Sequence, residues 1–304
     1  IYATLCPEHA KKHSSVDIVF EGREDAEALK LISDLTGFEI GSTEFRDPHS
    51  AIHNETYPAF DLYPQLDYVC IVTSKGCPFR CTYCASPFLA RGFSKRNPVG
   101  VVDEIEYWTR KYGVNNIAFY DDALLVDAET HAIPLFNEII KRKLTVRFHA
   151  PNGLHIRYIT EQVADLMMQA GFKTIRLGLE TSDPDMQKAT GGKVTTEDFI
   201  SAAGALTKAG FTAQEAGVYI LAGLPGQRAL DVRNAVAIVK EHALKPVIAE
   251  YSPIPGTALW EKAVATSLFP IADEPLFHNN TLLPCQWEEF TLDELNKLKL
   301  ECRK

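Results

Sequence analysis

Cys77-Pro78-Phe79-Arg80-Cys81-Thr82-Tyr83-Cys84 gathers three cysteines into eight positions, and a loop this short can turn all three sulfurs toward one metal centre. Two chemistries compete for it. Structural zinc wants four closed ligands, commonly as two separated pairs, and no fourth cysteine or histidine stands nearby. An iron–sulfur cluster held by three thiolates leaves one coordination position open for a ligand, whereas electron-transfer ferredoxins use four thiolates at other spacings. Cys285 stays in view as a distant fourth ligand. The seven cysteines, odd in number and locally clustered, do not read as a secreted disulfide framework. They predict a reducing compartment, and with it a cytoplasmic setting.

Other residues able to do chemistry recur at intervals: Asp121 and Asp122, then His149, Asn152 and His155, then Glu180, Lys193 and Gly223. A repeated unit of β-rich run, polar loop and amphipathic helix spaces them. The runs are Tyr68–Ser74, Ile117–Tyr120, Val146–Ala150, Thr174–Leu179, Gly217–Ala222 and Val247–Tyr251. The first helix starts at Asn97-Pro98 and stops at Gly113; the third runs from Thr160 to Gly171, and the fourth ends at Gly210. A short helix is expected around Ala258–Ala265. Strands alternating with helices demand a parallel sheet with right-handed crossovers. Six such units predict an α/β fold, a partial (β/α)6 TIM-like barrel, with a doubly wound open sheet as the alternative. In a barrel, chemistry collects at the C-terminal ends of the strands, where Cys77, Asp121, Asp122, Glu180 and Gly223 all fall.

The flanks differ from this core. Residues 1–36 hold a strand-like Val16–Phe20 between two helical patterns, the expected tail of a Rossmann-like α/β domain. Residues 37–66 are rich in Pro, His, Asn and Tyr without periodicity and read as a linker; 67–257 are the barrel; 258–304 form an extension with a helix from Leu292 onward. The 304 residues suit about two domains at roughly 150 residues each, and a hydrophobic fraction of 46% is ordinary for a globular chain. A net charge of −9 disfavours nucleic acid as a partner. No apolar run is long enough for a transmembrane helix. The chain opens without Met or a signal-peptide layout, which predicts a fragment of a longer protein.

The cysteine loop, entered through Ser74-Lys75-Gly76, resembles the cluster loop of the radical S-adenosylmethionine (radical SAM) superfamily, including the aromatic Tyr83 before the last cysteine. Phe119-Tyr120-Asp121-Asp122, Leu177-Gly178-Leu179-Glu180-Thr181, the run from Leu221 to Gln227 and Pro253-Ile254-Pro255-Gly256-Thr257 also resemble family signatures, over about residues 67–257. The resemblance implies that Cys77, Cys81 and Cys84 hold three irons of a 4Fe–4S cluster, whose fourth iron binds S-adenosylmethionine. Reductive cleavage then gives methionine and a 5′-deoxyadenosyl radical. It further implies that Asp121 and Asp122 stand where the methionine ammonium is contacted, with a structural turn as the alternative for whichever points away. Glu180 would lie near the ribose or methionine, an ion pair with Arg176 being its alternative. Gly223 would let backbone pass close to adenine, and Phe79 and Tyr83 would support the cluster loop and adenine. The family often has Glu where Gln227 stands. Lys193 is a candidate carboxylate contact.

The signatures are most similar to the subgroup with an Elp/Mia/Nif-type core that includes cobalamin-dependent members. Asp17-Ile18-Val19-Phe20-Glu21-Gly22-Arg23-Glu24 resembles part of a cobalamin-binding domain in that subgroup. This implies cobalamin as a further cofactor, methyl transfer as the favoured outcome, a small-molecule or peptide substrate, and a low-potential electron donor such as flavodoxin or ferredoxin. The alternatives are a tRNA methylthiotransferase-like enzyme, which would need three more cluster cysteines where the N-terminal segment has only Cys6, and a non-enzymatic zinc scaffold.

Overall fold

The computed structural model describes residues 1–22, 25–38, 57–90 and 92–303. Six strands form one parallel sheet in sequential order: β1 (Val69–Ile71), β2 (Asn116–Phe119), β3 (Arg147–Leu154), β4 (Phe172–Glu180), β5 (Ala216–Ala222) and β6 (Lys245–Glu250). A helix follows each strand: α1 (Pro98–Tyr112), α2 (Ala132–Lys141), α3 (Glu161–Ala170), α4 (Thr196–Ala209), α5 (Ala229–Glu241) and the short α6 (Trp260–Thr266). This is the partial barrel expected from the repeat, in which β1 and β6 are the two edges of the described ladder.

Local chemistry sets the helix ends. The Asn97 side chain accepts from the Val99 and Gly100 amides, Pro98 occupies the first turn, and Gly113 closes α1 in the left-handed region at φ 69°. Thr160 caps α3 and Thr195 closes a capping box with Asp198 on α4. Packing then fixes the helices to the sheet. Phe119, Phe148 and Phe172 stack along the helix side, centroids 5.5 and 5.6 Å apart, and Phe136 of α2 meets Phe172 edge-on at 5.3 Å. Each is fully buried, a contribution of about 1.5–3 kcal/mol per side chain. Met167 is buried and Met168 only partly, so the pair divides between core and flank.

Three features depart from the sequence reading. Strand β3 continues through Pro151-Asn152-Gly153, with a register shift against β4 that absorbs these turn-forming residues. Strand β1 is shorter than expected: Thr73 and Ser74 bond a side chain on the next loop, and Ser74-Lys75 pairs instead with Ser94-Lys95 in a separate antiparallel two-stranded sheet. Val16–Phe20 forms no strand: its two flanking helices are present, but among the described residues no strand lies beside it to share hydrogen bonds, and Val16 and Ile18 stay exposed. Most of the expected linker, residues 39–56, lies outside the described residues, as do Arg23 and Glu24. Its last part packs on the barrel, with Phe60 edge-on to Trp108 at 5.5 Å. The C-terminal helix α7 (Leu292–Arg303) docks on α5 and β6 through Arg233–Glu301 at 3.0 Å and a Lys299–Glu250 pair. Among the described residues no helix is long and apolar enough to cross a membrane.

Candidate active site

The cysteine loop leaves β1 at the C-terminal edge of the sheet, and Asp121 anchors its entry. One carboxylate oxygen, Oδ1, accepts from the Thr73 amide (2.9 Å) and hydroxyl (2.7 Å) and from the Ser74 amide (2.5 Å) and hydroxyl (2.6 Å). Burial raises the Asp121 pKa against these four bonds, and Oδ2 is buried without a partner. His131 Nε2 meets the Thr73 hydroxyl at 2.8 Å; burial, with Lys95 nearby, pushes the imidazole down to about 4. Asp121 is therefore largely committed to the turn, whereas Asp122 faces the loop and accepts from the Ser86 hydroxyl at 2.6 Å.

Backbone from two distant places clamps the loop itself. The Thr82 amide donates to Thr190 O at 3.2 Å, and the Leu259 amide donates to Thr82 O at 3.1 Å. Gly191, at φ 117°, lies so close that a Cβ there would stand 3.1 Å from Arg80 O and Cys81 Cα, so a side chain would be strained and would press the two segments apart. Cys77, Cys81 and Cys84 are half-buried, none is in a disulfide, and the charges of Cys81 and Cys84 both act on Cys77. Burial first, then the neighbouring thiols, pushes the Cys77 and Cys84 thiols up; the Ser86 amide, donating to Cys84 Sγ at 3.4 Å, opposes this. Cys77 Sγ meets His155 Nε2 at 3.6 Å, and His155 stacks on Phe79 with centroids 4.7 Å apart. Burial pushes His155 down to about 3, Lys193 and Arg157 adding to the effect, so the ring is neutral.

Glu180 ends β4 with φ 66°, a left-handed conformation that a side chain adopts at a cost of order 1–3 kcal/mol. Its Oε1 accepts from Lys193 Nζ at 2.6 Å. Burial alone would lower the Lys193 pKa, but the Glu180 carboxylate and the Cys81 charge outweigh it and hold the ammonium. The ammonium also lies 5.8 Å from the centroid of the Tyr83 ring. Tyr83 is held far above its usual range by burial and then by Glu180 and Cys81. Glu180 thus pairs with Lys193, not with Arg176. Gly223, at φ 91°, faces the C-terminal extension: a Cβ there would stand 2.6 Å from Leu283 Cδ1. Gln227 is buried and structural, its Oε1 accepting from the Gly223 amide at 2.9 Å and its Nε2 donating to Leu221 O at 2.9 Å. Cys285 is buried in a separate apolar cluster and its thiol faces Ala263 O at 3.6 Å.

The donor set fits a cluster better than a single ion. Among the described residues no three His, Cys, Asp or Glu side chains converge closely enough to hold one metal ion. Three thiols spread over one loop suit the corners of a cubane. Thr82 Oγ1 within the loop and His155 Nδ1 beside it are buried polar atoms without partners, the kind of atom a bound polar group satisfies. The sequence brought forward the cysteines, Phe79, Tyr83, the two aspartates, Glu180 and Gly223. It missed the Thr73–Ser74 bracket, Ser86 and Gly191, for which a hydroxyl pair directly after a strand and a glycine pair before Lys193 were the available signals.

With this site at the strand ends of a partial parallel barrel, the chain belongs to the radical SAM superfamily, whose family model matches residues 71–239. It is 28% identical to an uncharacterized methyltransferase of Pyrococcus horikoshii over 93% of this chain and 60% of that protein. It is 24% identical to bacteriochlorophyllide d C-12(1)-methyltransferase of Chlorobaculum tepidum over 78% of this chain and 49% of that one. The chain therefore spans about half to three-fifths of the length of these relatives. Among solved structures, the fold is similar to that of the radical S-adenosylmethionine methyltransferase TsrM from Kitasatospora setae, solved with cobalamin and a 4Fe–4S cluster bound (TM-score 0.57, 22% identity, 66% of this chain and 38% of that chain). It is also similar to that of the cobalamin-dependent S-adenosylmethionine radical enzyme OxsB (TM-score 0.57, 15% identity, 82% of this chain and 39% of that chain).

Proposed function

We propose that this chain is the catalytic barrel of a radical SAM enzyme of the cobalamin type, acting by methyl transfer on a small-molecule or peptide substrate, with Cys77, Cys81 and Cys84 holding three irons of a 4Fe–4S cluster. The observation that carries the reading is the trio of half-buried, unpaired thiols on one clamped loop at the C-terminal edge of the sheet. When bound, the cluster and S-adenosylmethionine supply one-electron reductive cleavage of a sulfonium; the protein supplies position, charge and a dry pocket. Asp122, exposed and turned toward the cysteines, is the carboxylate offered to the methionine ammonium, with Asp121 holding the loop that bears it. Glu180 is offered to the ribose or methionine, its charge balanced by Lys193 until the nucleoside is in place. Phe79 and Tyr83 wall the cluster loop and the adenine, while Gly223, covered by Leu283, stands in the turn held by Gln227. Because burial raises the Cys77 and Cys84 thiols, loading iron releases protons and is favoured by rising pH.

Support for cobalamin and methyl transfer comes from the names of the relatives, two of them methyltransferases, and from the TsrM and OxsB folds. Residues 67–257 are the catalytic unit, 1–36 the remnant of a cobalamin-binding-like domain, 37–66 a linker and 258–304 an extension. A low-potential flavodoxin or ferredoxin in the cytoplasm is the electron donor. The test is anaerobic reconstitution with iron, sulfide and cobalamin, scoring 5′-deoxyadenosine and S-adenosylhomocysteine together. Both products are expected from the native chain. Cys81→Ala should reduce 5′-deoxyadenosine to background while leaving the circular dichroism spectrum unchanged; undiminished 5′-deoxyadenosine in that variant refutes the assignment.

A further inference from the structure

The strands alternate two faces. One, with Ile117, Phe148, Ile175, Val218 and Ile220, is sealed under the helices. The other is the inner wall of the partial barrel, and its charge is one-sided. Glu180 and Glu250 are the only acids in the six strands, and Lys193 and Lys299 hold both. The strand cations are Arg147, Lys173, Arg176 and Lys245, of which, among the described residues, only Lys173 has a carboxylate partner, Glu215 at 3.7 Å. Arg147 donates to Asn116 Oδ1 at 2.9 Å, an oxygen that His149 Nε2 also meets at 3.1 Å. Arg176 donates to Ile175 O at 2.9 Å, and Lys245 has no bond to any side chain among the described residues.

Two of these cations share a register. Arg176 on β4 pairs with Gly217 on β5, which pairs with Lys245 on β6, so all three project to the same side. A Cβ at Gly217 would meet Arg176 Cδ at 3.0 Å and its Nε and Nη1 at 3.1 Å: the guanidinium lies over this glycine, in the row that ends at Lys245, with Nη1 donating to Ile175 O. Gly217 is absent from the left-handed residues, so its backbone does not demand glycine; the space above it does. Strands stand about 4.8 Å apart, which puts the two cationic residues roughly 10 Å apart at their Cα atoms with only a hydrogen between them. Like charges in one row of the sheet, one part-buried and one exposed, in a chain of net charge −9, are stabilised by an anion placed between them.

We propose that Arg176 and Lys245, in one row on either side of Gly217 on the inner barrel wall, form an anchoring site for the oxyanion of the substrate, a carboxylate or phosphate. The guanidinium fork accepts either bidentately, and Lys245 adds a point charge from the opposite side. Arg176 lies four residues below Glu180 on β4, roughly 13 Å at ~3.3 Å per residue. An oxyanion held there places the other end of an extended molecule at the rim that carries the cysteine loop. The substrate class is thus an elongated organic acid or phosphate ester, reacting at the end remote from its charge.

This rests on the radical SAM reading for its reaction but not for its binding, so the two are measured separately on the same reconstituted chain. Calorimetric titration uses inorganic phosphate and glutarate as probes, on the native chain, Arg176→Gln and Lys245→Gln, with S-adenosylmethionine cleavage followed in parallel. Saturable binding of at least one probe is expected, weakened tenfold or more by either substitution, while uncoupled 5′-deoxyadenosine formation stays within twofold of native. The tighter probe identifies the oxyanion as phosphate or carboxylate. Lys245 is exposed, so its variant folds even where Arg176→Gln does not. No saturable binding of either probe, or equal affinity in native and Lys245→Gln chains, overturns the proposal. Anion binding without any cleavage leaves the site standing and removes the proposed reaction; cleavage without anion binding does the reverse.

Discussion

Replacing Lys193 by Met removes one member of a buried ion pair and leaves the other in place. The Lys193 and Glu180 side chains retain only 14% and 12% exposure, and their 2.6 Å bond lies beside Tyr83 and the thiol loop. Breaking such a pair from one side costs about 3–5 kcal/mol, because the remaining charge is neither hydrated nor compensated. At roughly 2–4 °C per kcal/mol, the melting temperature should fall by about 6–20 °C. The double variant Lys193→Met/Glu180→Gln removes both charges and should recover most of that loss. Urea midpoints of the native, single and double variants measure both effects. A single variant within 1 kcal/mol of native, or a double variant no more stable than the single, refutes the claim that this pair is a buried, coupled unit.

Asp121→Ala orphans the Thr73 and Ser74 amides and the Ser74 hydroxyl together, leaving the Thr73 hydroxyl to His131, and should cost about 3 kcal/mol in urea unfolding, whereas Asp122→Ala, losing only the Ser86 hydroxyl, should cost less than about 1 kcal/mol. His131, held down to about 4 against an unfolded value near 6.5, is neutral when folded. Its unfolded form binds the extra proton, so the stability due to it is complete above pH ~6.5 and is lost as pH falls to about 4, a difference of about 3 kcal/mol. The stability–pH curve of His131→Gln should be flatter than native across that window. Gly223→Ala drives a methyl into Leu283 Cδ1 and should lower the melting temperature by a few degrees, and Leu283→Ala in the same chain should return part of it if that contact is the cause.

What the sequence made legible was what neighbours in the chain decide. Asn97-Pro98 and Gly113, Thr160 and Gly171, and Gly210 bound their helices as expected, since caps are set by residues within one turn. The cysteine loop was legible for the same reason. Partner choice was not. Arg176 and Glu180 lie on one strand four residues apart, which reads as a pairing, yet an extended strand separates them by roughly 13 Å, and Lys193 reaches Glu180 from the next loop instead. The role of Asp121 depends on a turn that brings Thr73 and Ser74 to it from 48 and 47 residues away. Val16–Phe20 has strand composition, but composition supplies no hydrogen-bonding neighbour.

The two backbone bonds that grip Thr82 have a consequence for how the metal is gained and lost. Since Thr190 and Leu259 fix the loop from separate walls of the barrel, the spacing of the sulfurs belongs to the fold and not to the iron they would carry. Stripping the cluster with oxygen or a chelator would then erase colour without melting the scaffold, and the same sulfurs would stand ready for a fresh load once reduced.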